Sequence, residues 1–240
     1  MSTASWAATV GRMDLAHALR TTGAVRDFTE EGVDDATLWR ILDNARFAPS
    51  GGNRQGWRVV VVKDPRARQA LRDLYLPGWY EYLAQNRAGL VPWAPVTDRE
   101  AERRAIGDAP EMARQAASGG GMAEQLDRAP VLLLLLADLR VLAAVDRDLD
   151  RYTFVGGASV YPFAWSILLA ARLEGLGGVL TTMVVRREAE VKALVYAPDE
   201  LAVAGLLVLG RPRHEVRRLR RREVGQFATI DRLDGPSFGG

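Results

Sequence analysis

Apolar positions recur along this chain with two periods. In "VDDATLWRILDNARFA" (33–48), Leu38, Ile41, Leu42 and Ala45 fall at i, i+3, i+4 and i+7, the stripe of an amphipathic helix. Asp34 or Asp35 can cap its start, and Pro49 stands just beyond its end. "WRVVVVKD" (57–64), "APVLLLLLADL" (129–139) and "LAVAGLLVLGRP" (201–212) are unbroken apolar runs, the pattern of strands buried on both faces. Short helices are predicted at 13–20, 66–75 and 121–128, and another in "RREAEVKALV" (186–195). "VLTTMVV" (179–185) reads as a short strand or loop. Helices alternating with buried strands indicate α/β or α+β architecture around one central sheet.

Two segments depart from these periods. Phe154 to Ala171 is 18 residues without a charge, but it contains Gly156, Gly157, Ser159, Pro162 and Ser166 and has no second span to accompany it. It reads as a buried helix closed by Gly175 and Gly177–Gly178, not as a membrane span. From Leu76 to about Ser118 the period is lost in "YLPGWYEYLAQNRAGLVPWAP" and the charged stretch after it. Residues 76–118 are therefore expected to form a lid or insertion within a single domain spanning 1–240, with 225–240 as an extended C-terminal tail.

Composition removes several functions. No cysteine is present, which excludes disulfides, thiolate metal sites and cysteine nucleophiles and suits a cytoplasmic protein. No basic-then-apolar leader is legible at the N-terminus. The chain carries 32 basic and 30 acidic residues, and Lys63 and Lys192 are its only lysines. An arginine-rich but nearly balanced chain is not a nucleic-acid binder by composition. The one basic run, "RHEVRRLRRR" (213–222), lacks interleaved aromatics. His17 and His214 stand alone, so no Ser/His/Asp arrangement, phosphate loop or His/Asp metal spacing appears.

The chemistry is concentrated in "APSGGNRQGW" (48–57). Asn53 and Gln55 each offer a carbonyl acceptor beside an NH₂ donor, which suits a heterocycle edge that alternates C=O and N–H. The pyrimidine side of a flavin has such an edge. The glycines would let backbone approach a planar ligand closely, although water and a closed turn satisfy the same groups. Arg26, in a turn after the first helix, and the arginines at 217–222 are suited to bidentate phosphate contacts.

In order along the chain, "LRTTGAVRDF" (19–28), the 48–57 motif, "GLGGVLTTM" (175–183) and "VLGRP…RRLRRREV" (208–224) resemble the nitroreductase family of FMN-dependent oxidoreductases from about residue 13 to 225. The apolar helix ending in Gly-Leu-Gly with a Thr-Thr pair looks most like an actinobacterial-type branch. The resemblance implies an α+β nitroreductase-like fold: a mixed, mainly antiparallel sheet flanked by helices, in an intertwined homodimer with FMN at two interface sites. It implies a ring held by Ser50, Asn53, Gln55 and the backbone of Leu180, Thr181 and Thr182, and a phosphate end at Thr22, Gly23, Ala24 and Arg26 with Arg220 or Arg221. The chain departs from the family at Gly23 and Ala24, where an arginine and a serine are usual, so one cation and one hydroxyl are missing.

The implied activity is ping-pong hydride transfer from NADH or NADPH through FMN to a small flat acceptor such as a nitroaromatic or quinone. No catalytic side chain is required beyond the flavin. Trp79, Tyr80, Tyr82 and Trp93 are expected to line the substrate pocket, unless they only pack the insertion onto the body. Two other readings stay open: a dehydrogenase or reductase of one metabolite, deiodinase-like members included, and a non-catalytic flavin-binding protein.

Overall fold

A computed structural model describes residues 14–116, 121–214 and 219–239. The helices are α1 (Leu15–Thr21), α2 (Asp35–Ala45), α3 (Pro65–Arg87), α4 (Arg99–Ile106), α5 (Ala109–Ala116), α6 (Tyr161–Leu173) and α7 (Glu188–Leu194). The strands are β1 (Trp57–Val61), β2 (Val131–Asp138), β3 (Gly177–Thr181) and β4 (Leu201–Gly210). They form one sheet of order β1-β2-β4-β3, and all three pairings are antiparallel. Among the described residues, parallel pairing is confined to a bridge between Ala24 and Gly178, which lays the segment after α1 along the free edge of β3.

Alternate residues of the central strands feed two cores. Leu133, Leu135, Leu207 and Leu209 face α2 and α6, while Leu132, Leu134, Leu206 and Val208 face α3 and α7. The result is three layers, with every residue of β2 buried. Strand β1 differs from expectation. It is an edge strand, half-buried, with Arg58 exposed, because nothing pairs with its outer side among the described residues.

Helix α2 begins where Asp34, not Asp35, caps it, its carboxylate accepting from Thr37 N at 2.7 Å. Helix α3 does not stop at residue 75 but runs through Pro77 to Arg87. Its buried stripe continues in other residues: Leu71, Tyr75 and Gly78 keep the helical spacing. A Cβ at Gly78 would stand 3.2 Å from Met183 O, so α3 crosses the turn at 183–187 closely. Residues 121–128 form turns and a single 3₁₀ turn rather than a helix. Beyond β4 the tail makes a 3₁₀ turn at Val224–Gln226 and a bridge between Thr229 and Ser237. Arg217 and Arg218 lie outside the described residues. Among those residues no helix is long and apolar enough to cross a membrane.

Candidate functional site

The loop joining α2 to β1 is strained and firmly anchored. Gly52, Asn53 and Gln55 all have left-handed backbone, with φ of 59°, 53° and 50°. For the two non-glycine residues this costs on the order of 1 kcal/mol each, a cost that persists only where surroundings impose it. Here they do. Gln55 N donates to Ser50 Oγ at 3.0 Å, and Gly51 N donates to Ser159 Oγ at 3.0 Å, just ahead of α6. Trp57 lies flat on Phe163 of α6, with ring centroids 4.6 Å apart.

The two amides meet each other. Gln55 Nε2 donates to Asn53 Oδ1 at 3.1 Å and to Asn53 O at 3.3 Å. Both residues are exposed. Asn53 Nδ2 and Gln55 Oε1 bond no described residue, which leaves one donor and one acceptor of this amide pair open. A donor and an acceptor are the group types that an edge alternating C=O and N–H, such as that of a flavin pyrimidine, can pair with.

A second group gathers on the far edge of the sheet. Val25 N donates to Gly178 O at 2.9 Å, which fixes Thr22–Arg26 beside β3. Gly178 has no room for a side chain, since a Cβ would lie 2.5 Å from Val208 O. Leu180 and Thr181 end β3, and Thr182 leads into the 3₁₀ turn at Met183–Arg187. Gly205 of β4, at a register shift, packs so closely that a Cβ there would meet Thr181 O at 2.9 Å. Thr181 Oγ1 meets the buried Tyr75 Oη at 3.0 Å. Burial pushes the Tyr75 phenol above its ordinary pKa, with the bond to Thr181 and the charge of Arg26 acting the other way. Arg26 itself is exposed and makes no hydrogen bond or ion pair with a described residue.

Arg26 stands between two clefts. One, of 280 Å³, is walled by Trp79, Leu83, Met122 and Glu124. The other, of 570 Å³, adds Phe28, Arg128 and Arg213. Thr22 Oγ1 is buried without a partner, and it lines a narrow crevice with Gly23 and Arg172, whose Nε is likewise unpartnered. Ala24 is exposed.

The four aromatics of 76–95 separate in role. Trp79 reaches the cleft beside Arg26. Tyr82 stacks on Trp79 at 5.4 Å, Trp93 tilts onto Tyr82 at 6.4 Å, and Arg186 covers Trp93. Tyr80 turns to Glu124. Arg220 and Arg221 are exposed, and among the described residues their one side-chain hydrogen bond is Arg221 Nη1 donating to Arg220 O at 2.8 Å. No described bond joins either arginine to Thr22–Arg26.

A sequence model of the nitroreductase family matches residues 19–211. This chain belongs to the nitroreductase family. It is a flavoprotein oxidoreductase of that class. It is similar to an NADH dehydrogenase of Thermus thermophilus, 28% identical over 192 residues, which cover 80% of this chain and 83% of that protein. It is also similar to the 5,6-dimethylbenzimidazole synthase of Rhodospirillum rubrum, 31% identical over 195 residues, 80% of this chain and 78% of that one. Among solved structures it resembles the FMN- and NADPH-dependent nitroreductase NfnB derived from Sphigopyxis sp. strain HMH. That match has a TM-score of 0.61 at 28% identity and covers 92% of this chain and 99% of that one.

Sequence reasoning missed Tyr75, Ser159 and the Arg58–Asp138 pair that backs the amide loop. Ser159 carried a signal, as a polar residue in a charge-free stretch. Asp138 carried another, as the one acid closing an apolar strand. Tyr75 carried none.

Proposed function

We propose that this protein is an FMN-dependent NAD(P)H oxidoreductase that reduces flat acceptors such as nitroaromatics or quinones, with ping-pong kinetics. The observation that carries it is the open donor–acceptor pair of Asn53 and Gln55 on a strained, anchored loop. FMN, when bound, supplies the centre that takes up and passes on two electrons. Asn53 and Gln55 would hold the pyrimidine edge of the ring, and the Leu180–Thr182 segment would lie against it. Arg26, free of any described ion pair, would meet the anionic end. Gly23 and Ala24 contribute backbone alone there, so Arg220 or Arg221 is left to supply the remaining charge. Trp79 would wall the acceptor site, with Tyr82 and Trp93 behind it and Tyr80 at its margin. We assign the chain to an actinobacterial-type branch on its Gly-Leu-Gly and Thr-Thr pattern.

The site needs two copies of the chain. Thr181 is level with Val60 across three strand spacings, and Gln55 lies five residues before Val60, in the loop two residues ahead of the start of β1. At ~4.8 Å per strand and ~3.3 Å per residue, the two are on the order of 20 Å apart, farther than one flavin ring reaches. A homodimer would bring Gln55 of one copy to Thr181 of the other. Large apolar side chains left exposed around the amide loop and α6, including Trp39, Phe47, Phe154 and Trp165, suit such an interface.

The test is anaerobic addition of NADH or NADPH to the FMN-loaded protein, followed by a panel of acceptors. Bleaching and recovery with nitroaromatics or quinones supports the reading. Recovery with a single metabolite alone favours the narrower dehydrogenase or reductase. Absence of bleaching by either nucleotide favours a non-catalytic flavin binder.

A further inference from the structure

Asp138 closes β2 as a carboxylate only 2% exposed, at the end of a run of apolar residues. Its backbone N–H donates to Gly56 O at 2.7 Å. Its carboxylate accepts from Arg140 Nε at 2.9 Å and Nη2 at 2.8 Å, and from Arg58 Nη2 at 3.4 Å. The other terminal nitrogen of Arg58 donates to Trp57 O at 2.7 Å and to Gln55 O at 3.3 Å. A single enclosed acid is thus tied, through its own amide and through one arginine, to the three residues that follow Arg54. The central one, Gly56, is itself closed in: a Cβ there would lie 2.8 Å from Val141 Cγ2.

Burying a carboxylate is unfavourable unless it is fully paired, and a strand can end without one. What the acid adds here is geometry. Gln55 holds a left-handed backbone that its side chain does not favour. Its carbonyl is one of the two groups that the Arg58 fork grips from the Asp138 side, while Ser50 holds its N–H from the other.

We propose that Asp138 is a positioning residue for flavin recognition, acting through Arg58 to keep Gln55 in the conformation that presents its amide. This rests on the reading that Asn53 and Gln55 grip the flavin ring. Asp138 touches no cofactor itself; it fixes the aim of a group that does.

The experiment is FMN titration, followed by quenching of FMN fluorescence, on the full chain and on Asp138→Asn, Gln55→Ala and the double variant. The expected result is FMN binding weakened roughly tenfold by either single change, about the worth of one hydrogen bond. In the Gln55→Ala background, Asp138→Asn should then change little, because its effect passes through Gln55. Equal weakening in both backgrounds would overturn the proposal, since Asp138 would then serve only the fold. So would unchanged binding in Asp138→Asn beside weakened binding in Gln55→Ala. Unchanged binding in Gln55→Ala would instead overturn the ring-binding reading beneath it. Should Asp138→Asn not fold, Arg58→Met carries the same test. It cuts the arm to Gln55 at a half-exposed side chain and leaves Arg140 on the acid.

Discussion

Tyr75 and Thr181, 106 residues apart in sequence, meet through their hydroxyls at 3.0 Å, and the Tyr75 side chain is almost wholly enclosed. This bond ties α3 to the end of β3, where the flavin-facing segment is expected. Tyr75→Phe removes it and leaves Thr181 Oγ1 without that partner. The expected cost is about 1 kcal/mol, or a fall of about 2–4 °C in Tm for a chain of this size. Thermal denaturation measures it, and Thr181→Val should then cost little more in the Tyr75→Phe background. Independent, additive losses would show that the two hydroxyls are not coupled.

Acid stability should depend on Asp138. Hydrogen bonds from Arg140 hold its carboxyl at about 2, against an ordinary 3.8. Between those values the unfolded chain binds the proton more readily, so this contribution to stability is present above 3.8 and is lost as pH falls through about 2. Asp146 is lowered in the same direction, chiefly by the Phe154 backbone N–H. Urea unfolding across that window should give a flatter pH dependence for Asp138→Asn than for the natural chain. Parallel curves would contradict the assignment.

Trp79 and Trp93 should respond differently to truncation. Trp79→Ala removes the aromatic wall of the cleft beside Arg26 and should lower kcat/KM for flat acceptors roughly tenfold. Trp93 sits behind Tyr82, so Trp93→Ala should act mainly on stability. Steady-state rates over several nitroaromatics and quinones decide this. Rates unchanged in Trp79→Ala for every acceptor would remove Trp79 from the site.

If two copies build each site, dimer and cofactor must be lost together. Trp165 is 40% exposed on α6, on the opposite side from the buried Ala164 and Ile167. Trp165→Glu should shift the protein toward monomer in sedimentation velocity and weaken FMN uptake in parallel. Monomers that bind FMN as tightly as the natural protein would show that one copy suffices.

Much of the fold was legible because burial imposes periodicity. Helix α2 and strands β2 and β4 stand where the runs placed them, whereas the apolar helix α6 begins only at Tyr161, after a 3₁₀ turn at Val155–Ser159, and leaves Tyr161 and Trp165 exposed. An apolar run does not tell a central strand from an edge strand: Val59, Val60 and Val61 of β1 are only half-buried because no described strand pairs with their outer side. Pro77 concealed the continuation of α3, whose stripe passes through Tyr75 and Gly78. At the site, the types and spacing of Asn53 and Gln55 were readable. Their left-handed backbone and mutual amide bond were not, since both arise from anchors at Ser159, Phe163 and Asp138 supplied by other parts of the chain. The Gly23–Ala24 departure was visible from the start, and the structure adds that Thr22 Oγ1 beside it is buried and unpartnered.

The most direct measurement is titration of the purified natural chain with FMN, alongside Asn53→Ala and Gln55→Ala, with protein absorbance and FMN fluorescence recorded together. The account predicts a yellow complex with one FMN per chain, and affinity that falls roughly tenfold or more when either amide is removed. A colourless protein that takes up no FMN, or one whose affinity ignores both substitutions, would contradict it.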